Sequence, residues 1–414
     1  MGGNDVIDIK AVGPQGNRSP RALRPSLAYS TLSLLMAGLV GCVSPAMVGS
    51  SVMAYDSAAN GILSEQLLVN IARARHHQPT HFTAITNIAA TSEYRHSLAV
   101  GPALTGQNGG PLVPLIGTGV SEKPIVSLVP IEGAEFTRRL LMPIPDTQLA
   151  LLLGHGENVG LVLRMLAEDF RPSDRGEGPP YLNRPHSRGY PLFRRIVLHL
   201  ASVQQRNALR VQPLVFEQHW TMPVAALSAQ GFRSLENEFS VDYERQRGLY
   251  HLSKSITGRT IITNYDTTTL ANDDRVRLNA EADHLSANEV MVDIRPDHAG
   301  GEYPTRGMFR LRSFQNVLNF LGRGIAEEPE YPVEQDQRTP LDAKNPVHTL
   351  EIMESDQAPP NAMLVVPHDG RYYAVKKDAG MSWNSEAFRL LYQLFQMTVS
   401  EIPRVSDSVP VTPR

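Results

Sequence analysis

Val290-Met291-Val292-Asp293-Ile294 and, further on, Ser313-Phe314-Gln315-Asn316-Val317-Leu318-Asn319-Phe320-Leu321 set two different periods close together. In the first, Val290, Val292 and Ile294 alternate with other residues, as in a half-buried strand. In the second, Phe314, Val317, Leu318 and Leu321 fall on one stripe of a helix, with Ser313 placed to cap its first turn. A chain that changes period in this way, many times over, builds an α+β fold: mostly antiparallel strands with interspersed amphipathic helices.

The same two patterns recur outward from this point. Phe239, Val241 and Tyr243 alternate, and so do Val276, Leu278 and Ala280. Thr260 to Tyr265 is a further strand candidate, as are Phe82 to Ala89, Tyr94 to Val100 and Ile125 to Val129. Helical spacing appears at Ile62, Leu63, Leu67, Leu68 and Ile71; at Phe136, Leu140 and Leu141; and at Leu149 to Leu153, with Asp146 as its expected cap. It returns at Leu192, Ile196, Leu200 and Val203, and at Phe388, Leu391, Phe395 and Val399, with Ser385 near the start. Val159 to Leu166 is apolar throughout, so strand and helix both remain open there. Met363–Pro367 and Tyr372–Lys376 flank His368-Asp369-Gly370, and Asp-Gly is a hairpin signal. No fixed-period repeat occurs, which argues against a solenoid or propeller.

Punctuation divides the rest. Gly101–Gly119 holds six glycines and three prolines and reads as loop. The polar segments 172–189 (PSDRGEGPPYLNRPHSRG) and 327–347 are rich in Pro or acidic residues. They are expected as exposed loops and as the first sites of proteolysis. The expected organisation is a signal peptide over 1–41, a lipidated tether over 42–60 and a main domain over 61–326. A linker or long loop follows over 327–348, then a hairpin plus C-terminal helix over 349–402 packed on the main domain, and a loose tail over 403–414.

The N-terminus reads as an address. Arg18, Arg21 and Arg24 precede a short apolar stretch that ends in Leu39-Val40-Gly41-Cys42. That stretch is shorter than the roughly 20 residues a membrane-spanning helix needs. Its end resembles a bacterial lipobox, in which a small residue precedes the cysteine that takes the lipid. Cys42 is the single cysteine of the chain, so no internal disulfide can form. Val43, where an aspartate would retain a lipoprotein on the inner membrane, implies by the same resemblance an outer-membrane anchor, with the body facing the periplasm. Several acyl chains anchor firmly, since each buried methylene contributes about 0.8 kcal/mol.

The charge is −3 over 414 residues, and the body is mildly acidic once the basic N-terminus is set aside. This gives no electrostatic case for nucleic acid as a partner. Templates for a phosphate-binding loop, a nucleophile elbow, a zinc protease helix and a calcium loop are absent, so no catalytic, cofactor or metal residue is assigned. Gly117-Thr118-Gly119 lacks the third glycine of a dinucleotide fingerprint. His76, His77 and His81 suit a helix C-terminus through the dipole better than a metal. Glu281, Asp283 and His284 are the best acid–base candidates, near an expected strand end. Asn272-Asp273-Asp274 reads as a polar turn, and His348, Glu351 and Glu354 scatter over both faces of an expected strand. Trp220, Trp383, Tyr372 and Tyr373 lie too far apart in sequence to define a sugar platform. Arg371, Lys376 and Lys377 read as a charged strand edge.

Three segments carry a family resemblance: Gln66-Leu67-Leu68-Val69-Asn70-Ile71-Ala72-Arg73-Ala74-Arg75; Pro130 and Gly133 through Leu140-Leu141-Met142-Pro143-Ile144-Pro145; and Gly370-Arg371-Tyr372-Tyr373 with Phe388 to Met397. With Arg312-Ser313-Phe314 and Leu318-Asn319-Phe320-Leu321, they resemble a family of uncharacterised proteobacterial outer-membrane lipoproteins. The resemblance implies an envelope location and transfers no activity. The sequence therefore suggests a membrane-anchored envelope lipoprotein that scaffolds or docks an envelope protein. The alternatives are an envelope hydrolase acting on glycan or peptide, and a module that binds lipid or polysaccharide.

Overall fold

A computed structural model describes residues 43–99, 115–173, 178–226, 228–340, 344–378, 380 and 382–399. Cys42, the expected signal peptide, residues 100–114 and the residues after 399 lie outside the described residues. Contacts divide the chain into two units, Met1–Asn60 and Gly61–Arg414. Helix α1 is Val43–Arg75, so residues 43–60, expected as a tether, are helical.

In the second unit two long strands follow, β1 (Phe82–Ala99) and β2 (Leu115–Ile131). The strands expected at Phe82–Ala89 and Tyr94–Val100 are thus one strand. Gly117 and Gly119, expected in a loop, belong to β2. Helices α2 (Ala134–Leu141), α3 (Asp146–Gly154) and α4 (Val159–Leu166) come next. All eight residues of α4 are buried. A helix covered on every side shows no polar stripe, so its period was invisible; Asn158 marks its start by accepting from the Leu161 N–H at 3.0 Å. Asp146 does not cap α3, whose N-cap is Pro145. Its carboxylate instead accepts from Arg259 Nε at 3.0 Å.

Strands β3 (Ala167–Pro172) and β4 (Tyr181–Leu182) lead into helix α5 (Tyr190–Gln205). The segment 172–189, expected as an exposed loop, is therefore only partly one. Tyr181 and Leu182 pair with β3, and Asn183 is fully buried, donating to the carbonyls of Arg164 and Ala167. Then come β5 (Arg210–Pro223), α6 (Ala229–Glu236), β6 (Ser240–Glu244) and β7 (Leu249–Thr263). Helix α7 (Asn272–Asp283) corrects two expectations. Val276, Leu278 and Ala280 are not a strand, and Asn272-Asp273-Asp274 is not a turn. Leu278 and Ala282, four apart, are the buried pair, while Val276 is exposed. Asp273 and Asp274 sit in the first turn, where negative charge suits the helix dipole.

Strands β8 (Glu289–Ile294) and β9 (Thr305–Leu311) and helix α8 (Phe314–Gly324) complete the central part. Ser313 caps α8 as expected, accepting from the Asn316 N–H at 3.2 Å. The main sheet runs β4-β3-β9-β8-β7-β5, with β6 also on β7. Its pairs are antiparallel except β7–β8, which α7 connects as a crossover. Position in this sheet explains β8: all six of its residues are buried. The alternation of valine and isoleucine there marks a central strand and not a half-solvated one.

The C-terminal part holds β10 (Ile352–Ser355), β11 (Ala362–His368), β12 (Arg371–Lys376) and helix α9 (Trp383–Thr398). The β11–β12 hairpin turns at Asp369 and Gly370, both with positive φ (47° and 76°), as a two-residue turn of the primed kind demands. The strand order is β10-β12-β11. Arg371 and Lys376 thus lie on the central strand, not on an edge as expected. Phe388, Leu391 and Phe395 of α9 enter the same core as Phe82 and Phe314; Phe82 stacks on Phe395 with ring centroids 4.6 Å apart. These elements establish the α+β class.

Candidate functional site

Strands β1 and β2 form a sheet of their own. All 17 residues of β2 have a register partner in β1, from Ile131 opposite Phe82 to Leu115 opposite Ala99. At about 3.3 Å per residue the ribbon is roughly 55 Å long. Its root is embedded: Phe82, Ala84 and Ile131 are buried in the core. A bulge interrupts the register between Ile85 and Asn87. Among the described residues neither strand pairs with any third strand, so each has an outer edge of backbone N–H and C=O groups that no other strand takes up. A two-stranded ribbon by itself is marginally stable in water.

Beside the root lies an open cleft of about 400 Å³. Its lining includes Gln78, His81, Ile131, Phe136, Leu141 and Gln315. Leu141 is 57 % exposed and Met142, next to it, 47 %. Large apolar side chains exposed side by side are a docking feature more than a catalytic one.

The end of α1 meets the three-stranded sheet through polar contacts. His76 Nε2 lies 2.7 Å from the Tyr373 hydroxyl. Gln78 donates to Asp369 at 2.7 Å, and its own oxygen is 2.9 Å from His368 Nε2. Burial, with Glu354 alongside, pushes the Tyr373 phenol up to about 12. The three histidines, close together in sequence just after α1, are dispersed: His76 faces Tyr373, His77 is exposed near Glu327, and His81 lines the root cleft. Among the described residues no group of three or more His, Cys, Asp or Glu could hold a metal ion.

The described residues of 327–347, a segment expected as a linker or long loop, form a loop packed on the core. Glu330 sits between Arg164 of α4 and Arg194 of α5, at 3.3 and 3.4 Å. Tyr190 and Thr349 donate to the same carboxylate, each at 3.0 Å. Burial alone would push Glu330 up. The two guanidinium groups and the Thr349 bonds outweigh it and hold the carboxyl below its ordinary value. Burial pulls Arg164 down to about 10. Arg312 is also buried, pulled down by burial to about 9. It donates to the carbonyls of Met165 and Asn183 at 3.1 and 3.0 Å and stacks over Phe320. The network ties loop to core, with Arg194 Nε left buried and without a hydrogen-bond partner. Nothing in the sequence marked Glu330; a Pro-rich acidic stretch hides one buried carboxylate among exposed ones.

Glu281 stands in α7 and not near a strand end. It pairs with Arg306 of β9 at 2.5 Å. Asp283 and His284 are exposed at the end of the helix. None of the three lines the root cleft or a second, 230 Å³ cavity bounded by Phe320, Glu330, His348 and Met353. Trp383 is buried and donates to the His348 carbonyl at 3.0 Å, Tyr373 is buried, and Trp220 lies on β5. The four aromatics do not form one platform. Among the described residues no helix is long and apolar enough to cross a membrane. Compared with protein-family models, curated proteins and solved structures, the chain matches none.

Proposed function

We propose that the chain is an outer-membrane lipoprotein, anchored through acyl chains on Cys42 and facing the periplasm, whose folded part docks a protein partner. The resemblance of Leu39-Val40-Gly41-Cys42 to a lipobox supports the anchor, and the wider family resemblance agrees with it. The observation that carries the docking role is the β1–β2 ribbon: long strands rooted in the core, with both outer edges open to strand addition. The exposed Leu141 and Met142 beside its root extend the same surface. A hydrolase built on Glu281, Asp283 and His284 would need these groups to converge on a pocket, and Glu281 is engaged by Arg306 instead.

Two measurements test this reading in a diderm host. Mass spectrometry of the N-terminal peptide should find Cys42 acylated and first in the mature chain; an unmodified Cys42 would sink the anchor. Crosslinking in cells should capture one stoichiometric envelope protein, a further copy of the chain included. Capture should be lost when residues 90–124 are replaced by an Asn-Gly turn closing on Ala89 and Ile125. If nothing is captured, and Glu281→Gln or His284→Gln abolishes function in a folded protein, the enzyme reading takes over.

A further inference from the structure

We infer that the ribbon joins copies of this chain to one another, the outer edge of β1 in one copy pairing antiparallel with the outer edge of β2 in the next. This rests on the docking reading above and names its partner.

The backbone parity of the ribbon follows from its prolines. Pro124 and Pro130 lie in β2, opposite Ala90 and Thr83. Proline has no N–H, so neither can occupy a ladder position that donates across the ribbon. Antiparallel ladders alternate between bonded and non-bonded pairs. Counting outward from the Ala90–Pro124 pair, Ser92, Tyr94, His96 and Leu98 of β1 are opposite Glu122, Val120, Thr118 and Ile116 of β2 in non-bonded pairs. Their N–H and C=O groups face away from the ribbon and make up its two open edges.

The backbone devices that protect an edge, a bulge and prolines, lie only in the half nearer the root; the farther half carries the charged residues Glu93, Arg95, Glu122 and Lys123. The bulge is at Ile85/Asn87, and Pro124 and Pro130 blunt the β2 edge there. From Thr91–Lys123 to Ala99–Leu115 the register has no bulge and no proline. That stretch gives two edges with an uninterrupted backbone ladder, each about 30 Å long at 3.3 Å per residue. They are equal in length and run antiparallel, so the β1 edge of one copy matches the β2 edge of another in length and direction. A single kind of contact, repeated head to tail, then takes up both edges of every copy. A strand from a different protein would cover one edge and leave the other open. Such a heterologous contact closes into a ring or extends as a row, and anchoring each copy on one membrane would hold them side by side.

The test uses the full acylated chain, purified in detergent, with mass measured by native mass spectrometry and sedimentation. The wild type is expected to be oligomeric. His96→Pro and Thr118→Pro each remove one outward N–H and no bond inside the ribbon. Each is expected to shift the mass to monomer while circular dichroism and melting temperature stay unchanged. The 90–124 replacement, which removes both edges, is expected to be monomeric. A wild type that is monomeric in detergent and uncrosslinked to itself in cells overturns the inference, as does an oligomer that both proline variants leave intact. If the chain is monomeric yet captures a different envelope protein through the ribbon, the docking reading stands and this inference alone falls. If it captures nothing, both fall.

Discussion

Arg164 and Glu330, 166 residues apart in the chain, meet at 3.3 Å with side chains 2 % and 7 % exposed. A guanidinium so placed has lost its water and depends on its partner and on the Pro346 and Val347 carbonyls, each 2.8 Å away. Arg194 shares the same carboxylate, so one negative charge serves two buried cations.

Removing that charge should therefore be costly. Glu330→Gln leaves both guanidinium groups without a counter-charge, and breaking a buried pair in this way typically costs about 3–5 kcal/mol. Urea denaturation should show a loss of this size, against a small loss for Glu135→Gln, whose carboxylate pairs with Arg138 and Arg139 at the surface. Equal small losses would show that the network contributes little.

Proteolysis follows from the same contact. Residues 329–340 include the Glu330 side chain, 7 % exposed, and the buried Val333 and Thr339, so this part of the loop should resist limited digestion despite its composition. So should 181–183, held by β3 and by Asn183. In Glu330→Gln, cleavage within 329–340 should appear well before general degradation. Rapid cutting there in the wild type would mean that the loop is not held.

His199 gives a pH dependence with a definite sign. It is buried on α5, with Nε2 2.8 Å from the Gly300 carbonyl and Nδ1 3.2 Å from the Thr339 hydroxyl. Burial lowers its value below the ordinary 6.5, even though the Gly300 bond raises it. Its stabilising contribution is thus complete above 6.5 and is lost as pH falls through the lower, folded value. The melting temperature should decline on acidification below 6.5, and His199→Gln should flatten that decline. Glu330 adds a further loss at lower pH, below its ordinary 4.5, because its folded value is depressed too.

Gly370 tests the hairpin. It has φ +76°, and a Cβ there would meet nothing within 4 Å. Gly370→Ala therefore isolates the backbone cost of a left-handed conformation, about 1–2 kcal/mol. Urea denaturation should show that loss with an unchanged slope. No loss would mean that the turn relaxes into another type.

What a few neighbouring residues can settle was legible from the chain. Ser313 caps α8, Asp369-Gly370 turns a hairpin, and the stripes on α5, α8 and α9 point into the core, because each depends on contacts within one or two turns of backbone. The ribbon was half legible: both strands were visible in part, but the glycines of β2 read as loop, since pairing with β1 and not local preference makes them a strand. Only the tertiary structure could make α4 a helix, bury β8 on both faces, turn Val276–Ala280 from apparent strand into α7, and hold Glu330 between Arg164 and Arg194. In each case the deciding partner lies far away in the chain. Periodicity records which face of an element meets water, so it says nothing about an element that meets none.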